Sequence, residues 1–268
     1  MNPQGSSGDQ GGAASPAGCI VTAEDPGCAE SGAAIARELR LPFVSPLPPG
    51  MDAQPLLVQT HRGLELQPSA GRGARLALDF AGGELRHRRF QGANRTSLLA
   101  RAIGARRAYD APRVLDATGG LGRDAFILAL LGCQVTLLER AAPVWAVLRD
   151  ALRRAAADAD TAPVVARIVL VHADAREYLG ENGLPADVVY LDPMFPEEKR
   201  SALVKQEMRL LREVVGDDAD AHQLFEAAEA SGIRRIVVKR MKSAPPLAPA
   251  PPSFVVSGRG NRFDVYLR

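Results

Sequence analysis

The residues best suited to chemistry stand five in a row: Asp192, Pro193, Met194, Phe195 and Pro196. They follow an apolar run, Ala186 to Leu191, that reads as a buried strand. They are therefore expected at the carboxyl end of a strand, where the active sites of α/β proteins collect. A carboxylate and a proline-linked backbone carbonyl can accept hydrogen bonds from an exocyclic amino group, and an aromatic ring can stack on the heterocycle that carries it. Such acceptors hold the nitrogen in line with an electrophilic methyl carbon and need not deprotonate it first. Asp192 would be a positioning acceptor, Pro193 would supply geometry and a carbonyl, and Phe195 the stacking face. The plainer alternative is a rigid turn in which Asp192 satisfies backbone donors. The choice between them depends on whether the rest of the chain builds a cofactor cradle.

Val114 to Phe126, VLDATGGLGRDAF, has the form of one: a strand ending in an acid, a glycine turn and the first turn of a helix. Its spacing is neither GxGxxG nor a phosphate loop with lysine and Ser/Thr. Gly119, Gly120 and Gly122 clear side chains from the place where a ligand would lie. Arg113 to Ala117 reads as the first strand, Arg123 to Leu131 as the following helix stopped by Gly132, and Cys133 to Leu138 as the second strand. Glu139 ends that strand, and an acid about 20 residues beyond such a loop suits the hydroxyls of an adenosine ribose. Asp116 is placed to orient the polar tail of a cofactor. Asp174, after a third strand at Ala166 to His172, could accept from an adenine amino group or simply cap a helix. Pro143 to Ala157 reads as a helix, with Trp145 as packing.

The elements that must position these residues fit one large α/β domain with a smaller N-terminal partner. Residues 1–17 are Gly-, Ser-, Gln- and Ala-rich and read as a disordered leader. Residues 18–85 read as a small α+β region: a strand in CIVTA, a helix over Glu30 to Leu41, two strands joined by a turn at Arg62-Gly63, and a further strand in ARLALDFAGG. Residues 86–112 form a basic junction and a helix carrying Leu98, Leu99, Ala102 and Ile103. The main domain then occupies residues 113–268. Within it, Lys199 to Val215 and Ala221 to Ala230 read as helices, Ile233 to Lys239 as a strand, and Ser253 to Ser257 with Asp264 to Leu267 as a hairpin turning at Gly258 to Asn261.

A net charge of +2 on 268 residues permits a nucleic-acid partner without demanding one. Locally, Arg86, Arg88, Arg89 and Arg95 are candidates for phosphate contact, with Phe90 available to stack. Lys199 and Lys205 on the following helix, Lys239 and Arg240 at a strand end, and Arg259 and Arg262 in the hairpin extend the list. Each group could equally be an ordinary solvated face. Three cysteines form neither a disulfide framework nor a CxxC knuckle, so no metal is expected and a reducing compartment fits. With no basic region leading into an apolar run and no long apolar stretch, the chain reads as cytoplasmic rather than secreted or membrane-spanning. No obligatory protein partner is inferred.

Taken together, HRRF, VLDATGGLGRDAF, LLER, VVYLDPMFP, KRSALVKQEMRLL, VVKR and GRGNRFDVY resemble the class I S-adenosylmethionine-dependent methyltransferases. The resemblance is closest to the RsmJ family of bacterial 16S ribosomal RNA guanine-N2 methyltransferases, and it covers most of residues 55–268. It implies a Rossmann-like α/β fold with a seven-stranded sheet, S-adenosylmethionine as cofactor, and methyl transfer to the N2 amine of a guanine near the 3' end of 16S ribosomal RNA, free or in the small ribosomal subunit. It also implies that Asp116, Gly120, Gly122, Arg123 and Asp124 face the methionine side of the cofactor, Glu139 the ribose, Arg140 the adenosine through its backbone, and Asp174 the adenine. Asp192, bordering the cofactor, would address the guanine together with Phe195. Met194 departs from the family form, which has a second proline there. Because the motif recognises an amino group without choosing the base, an adenine-N6 or DNA amino-methyltransferase is the catalytic alternative. A noncatalytic RNA-binding protein that keeps the fold is the third reading.

Overall fold

A computed structural model describes residues 18–69, 73–82, 96–105, 111–181, 183–193, 202–216 and 220–268, with only the backbone described for 202–205. The first region builds a four-stranded sheet in the order β1-β2-β3-β4. Its strands are β1 (Ile20–Ala23), β2 (Leu56–Thr60), β3 (Gly63–Gln67) and β4 (Leu76–Ala77), with α1 (Ala29–Leu39) crossing between β1 and β2. β1 and β2 are parallel, as that crossover requires, and the remaining pairs are antiparallel. The β2–β3 turn is His61-Arg62, one residue earlier than expected, because Gly63 already pairs with Thr60.

A short helix, α2 (Leu98–Ile103), follows; Ser97 caps it by accepting from the Ala100 N–H. The main domain then runs β5 (Arg113–Asp116), α3 (Arg123–Leu130), β6 (Gln134–Glu139), α4 (Ala142–Ala156), α5 (Ala162–Val165), β7 (Ile168–His172), α6 (Ala175–Leu179), β8 (Val188–Leu191), α7 (Ala202–Val215), α8 (Ala221–Ala230), β9 (Arg235–Met241), β10 (Phe254–Ser257) and β11 (Asn261–Leu267). Its seven strands lie in the order β10-β11-β9-β8-β5-β6-β7. The pairs among β5 to β9 are parallel, and β11 runs antiparallel to both β9 and β10. This is the expected Rossmann-like sheet with an antiparallel edge. From β5 the chain first builds outward through β6 and β7, then returns to place β8 on the other side. That reversal opens a crevice at the strands' carboxyl ends.

Both faces of the sheet are covered, so its central strands are continuously apolar. Val188, Val189, Tyr190 and Leu191 are all buried. Alternation divides them between two cores. Val114, Leu137, Tyr190 and Val237 face one core with Phe126 and Leu148, while Leu115, Leu138, Val189 and Val238 face the other with Leu179 and Phe225. The first core continues into the small sheet through Leu57, Leu64 and Leu66. Asp150 on α4 accepts from the Leu64 N–H at 3.1 Å, and Arg154 donates to the Leu78 carbonyl at 2.6 Å. The N-terminal region is thus fastened to α4 by apolar packing and by hydrogen bonds.

Some elements differ from those expected. α5 was not anticipated, since four residues leave no helical period to read. β9 starts and stops two residues late because β11 continues pairing as far as Asn261 opposite Met241. That places Lys239 and Arg240 within a paired strand, and Arg262 likewise. No helix among the described residues is long and apolar enough to cross a membrane.

Candidate active site

The carboxyl ends of adjacent parallel strands bring four acids to one edge: Asp116 of β5, Glu139 of β6, Asp174 after β7 and Asp192 after β8. All four line a cavity of about 380 Å³, a size ordinary for small-molecule sites. Gly120, Gly122, Arg123, Asp124, Arg140 and Pro193 line it too.

The glycine turn is fixed against β6. The Gly119 N–H donates to the Leu138 carbonyl at 2.8 Å, and the Gly122 N–H to the Gly119 carbonyl at 2.9 Å. Gly120 and Gly122 have φ of +50° and +68°, backbone that side chains rarely adopt. Glu139 accepts from the Gly120 N–H at 2.8 Å with one oxygen and from the Ala141 N–H at 2.7 Å with the other. Two backbone donors therefore orient a carboxylate that retains further acceptor sites.

Thr118 joins this turn to the post-β8 motif. Its hydroxyl accepts from the Asp192 N–H at 2.7 Å, and Asp116 accepts from the Thr118 N–H at 3.1 Å. A charged cluster lies alongside: Asp124 accepts from the Tyr190 hydroxyl at 2.6 Å and from Lys239 Nζ at 2.6 Å, while the same Nζ donates to Asp192 at 2.8 Å. Burial works against a charge on Lys239, yet the Asp192 and Asp124 carboxylates hold its ammonium above the ordinary lysine value. Burial, with the nearby Asp124 and Asp192 charges, keeps the Tyr190 phenol well above its usual range.

Burial also pushes the Asp116 carboxyl up to about 7; the Thr118 N–H pulls it down, Asp124 and Asp192 raise it further, and Lys239 opposes them. The folded protein therefore binds more protons than the unfolded chain between the ordinary carboxylate range and pH 7. Stability from this group is complete below that range and falls as pH rises toward 7. Asp116→Asn, neutral throughout, is expected to raise the thermal midpoint of the cofactor-free protein by roughly 5 °C at pH 8. The gap should narrow steadily as pH falls from 7 to 4; a pH-independent gap would contradict the burial argument.

The geometry fits S-adenosylmethionine. Asp116 ends β5 and Glu139 ends β6 on the cavity wall, and the glycine turn between them leaves a stretch without side chains. A Cβ on Gly120 would meet nothing nearer than the Thr118 carbonyl at 3.9 Å. Residues 45–268 match the family model described as "Putative SAM-dependent methyltransferase". A protein named Ribosomal RNA small subunit methyltransferase J from Pseudomonas fluorescens is 46% identical over 210 residues, 77% of this chain and 80% of the relative. One of the same name from Pseudomonas aeruginosa is 43% identical over 249 residues, 92% of this chain and 93% of the relative. The chain belongs to the ribosomal RNA small subunit methyltransferase J family. The crystal structure of a SAM-dependent methyltransferase from Neisseria gonorrhoeae superposes with a TM-score of 0.70 at 30% identity, covering 93% of this chain and 95% of that one. The protein is accordingly a methyltransferase with the class I fold, and S-adenosylmethionine is its cofactor.

Several residues expected at the methyltransferase site have additional partners. Arg123 turns toward α7 and donates to Glu207 at 2.9 Å. Arg140, expected to act through its backbone, also pairs its side chain with Asp220. Asp174 lines the cavity and caps α6 by accepting from the Arg176 N–H at 2.9 Å. Hydrogen bonds from the Arg176 side chain, opposed by partial burial, hold its carboxyl below the usual range.

The basic candidates divide sharply. Lys239 lines the cavity and pairs with both Asp124 and Asp192. Arg240 is 5% exposed and donates twice to the Pro245 carbonyl. Arg262 donates to Asp264 and to the carbonyls of Met241, Lys242 and Ala244. Arg240 and Arg262 thus brace the segment after β9 with donors engaged inside the fold. Arg259 stands exposed. Arg86, Arg88, Arg89, Arg95, Phe195, Lys199 and the Lys205 side chain lie outside the described residues.

Sequence reading missed Thr118, Tyr190 and the position of Lys239. Extending the register of Tyr190 with Val237 and Leu191 with Val238 sets Asp192 opposite Lys239; without strand pairing, no spacing links them. Away from the cavity, ligand atoms of Asp25, Cys28 and His61 lie within 4.8 Å of one another. The 2.7 Å Asp25–His61 contact and the capping bonds of Asp25 account for that grouping.

Proposed function

We propose that this protein transfers the methyl group of S-adenosylmethionine to the exocyclic N2 amine of a guanine in 16S ribosomal RNA of the small subunit. The observation that carries this reading is the 2.7 Å bond from the Asp192 N–H to Thr118, which sets the amino-group motif against the cofactor cradle. When bound, S-adenosylmethionine supplies an electrophilic methyl carbon. Asp116 and Asp124, with the turn at Gly120, Gly122 and Arg123, hold the methionine end; Glu139 holds the ribose hydroxyls, and Arg140 and Asp174 border the adenine.

Asp192 and the Pro193 carbonyl would accept from the guanine amine and direct its lone pair, and Phe195 would stack on the base. As the nitrogen–carbon bond formed, the sulfur–carbon bond would break, S-adenosylhomocysteine would leave, and the amine would release one proton to solvent. Alignment accounts for most of the acceleration, because an aryl amine attacks without prior deprotonation. A paired guanine must leave its stack to reach this cavity. Arg86, Arg88, Arg89, Arg95, Lys199, Lys205 and Arg259 are proposed to contact RNA phosphates. The choice of ribosomal RNA over DNA draws on the names of the relatives, since the motif reads an amine in either. With tritiated cofactor, label is expected in 16S RNA or small subunits and not in duplex DNA; label confined to DNA would overturn the assignment.

A further inference from the structure

We propose that Lys239 is a positioning residue for methyl transfer: it holds the Asp192 carboxylate ionised and in one orientation, ready for the target amine. This deepens the function proposed above and rests on it. The supporting geometry is a bridge. One ammonium donates to Asp124 of α3 at 2.6 Å and to Asp192 after β8 at 2.8 Å, and the Tyr190 hydroxyl donates to the same Asp124 oxygen at 2.6 Å. The Lys239 side chain is 24% exposed, against 39% for Asp192. Both line the cavity, and the acid is the more exposed of the two.

The charges explain why a cation belongs there. Among the described residues, Asp192 is faced by Lys239 of β9, Asp124 of α3, Asp116 of β5 and the Tyr190 phenol of β8, with Thr118 bonded to its N–H. Three carboxylates in one half-buried cleft repel one another, and each raises the others' affinity for protons. A protonated Asp192 would present a donor to the amine where an acceptor is required. Lys239 supplies the compensating charge and, by anchoring two elements, fixes the acceptor's direction. A phosphate contact would instead need the ammonium free to leave both acids.

The test compares Lys239→Met, Lys239→Gln and Lys239→Arg with wild type in two measurements. The first follows the Asp192 side-chain carboxyl by NMR in protein with ¹³C-labelled aspartate, assigned through Asp192→Asn, and needs no RNA. Its titration midpoint is expected to rise by about one unit or more in the Met and Gln variants and to return toward wild type in the Arg variant. The second is methyl transfer to 16S RNA. Here kcat is expected to fall about 10- to 100-fold in the Met variant, with the acid limb of the pH profile moved upward, partial recovery in the Arg variant and little change in KM for RNA. S-adenosylhomocysteine affinity should stay near wild type.

An unmoved Asp192 midpoint overturns the inference. So does a Met variant that loses only RNA affinity while its kcat and pH profile match wild type, because that is the signature of a phosphate contact. Should the Met variant fail to fold, the Gln variant carries the same reading, since it keeps a donor and removes the charge. If wild type methylates no RNA, the proposed function falls, and the NMR titration still decides whether Lys239 governs Asp192.

Discussion

Asp192→Ala is expected to lower methyl transfer about 100- to 1,000-fold while leaving S-adenosylhomocysteine affinity within about threefold of wild type. The size follows from the work assigned to the carboxylate, which is alignment of a weakly nucleophilic amine and stabilisation of the positive charge that develops on it. The selectivity follows from the structure. The bond to Thr118 uses the Asp192 backbone N–H, which alanine retains. Lys239 keeps Asp124 as a partner, so no isolated charge is left in the cavity. Single-turnover transfer of labelled methyl, with calorimetric titration of S-adenosylhomocysteine, separates the two effects. Unchanged turnover would remove Asp192 from the reaction, and a matching loss of cofactor affinity would make it a cradle residue instead.

Gly119→Ala is expected to weaken S-adenosylhomocysteine binding about 100-fold and to destabilise the fold by about 1–3 kcal/mol. A Cβ there would lie 2.6 Å from the Leu138 carbonyl oxygen, the same atom that receives the Gly119 N–H at 2.8 Å. That oxygen belongs to β6, which is paired on both sides and cannot retreat alone. The turn must move instead, and it carries with it the Gly120 N–H that orients Glu139. The loss should therefore fall on cofactor binding as well as on global stability. Calorimetry and urea denaturation of the same variant measure both, and wild-type affinity would show that the turn is not the cradle.

The sequence exposed the parts of this protein whose physics is local. A buried strand followed by glycines and an acid declares itself in VLDATGGLGRDAF, and the apolar run before Asp192 does the same, so the α/β fold, the order of its main elements and the cavity-lining acids were legible. Elements fixed by partners across the sheet were not. Nothing in IRRIVVKRM says that β9 continues to Met241, because the reason lies in β11. For the same cause Arg240 and Arg262 read as free basic residues, although folding spends their donors on carbonyls and on Asp264. The hydroxyl of Thr118 is a further case. As a residue type it is unremarked among glycines, yet it joins the two halves of the site.

The most direct test of a cradle and an amino-group motif working as one site is the identity of the methylated nucleoside. Small subunits and free 16S RNA incubated with the enzyme and isotopically labelled S-adenosylmethionine would be digested to nucleosides and resolved by mass spectrometry. The label is expected in N2-methylguanosine, lost with Asp192→Ala and with Gly119→Ala. Label in N6-methyladenosine, or N2-methylguanosine formed equally well by Asp192→Ala, would contradict the account.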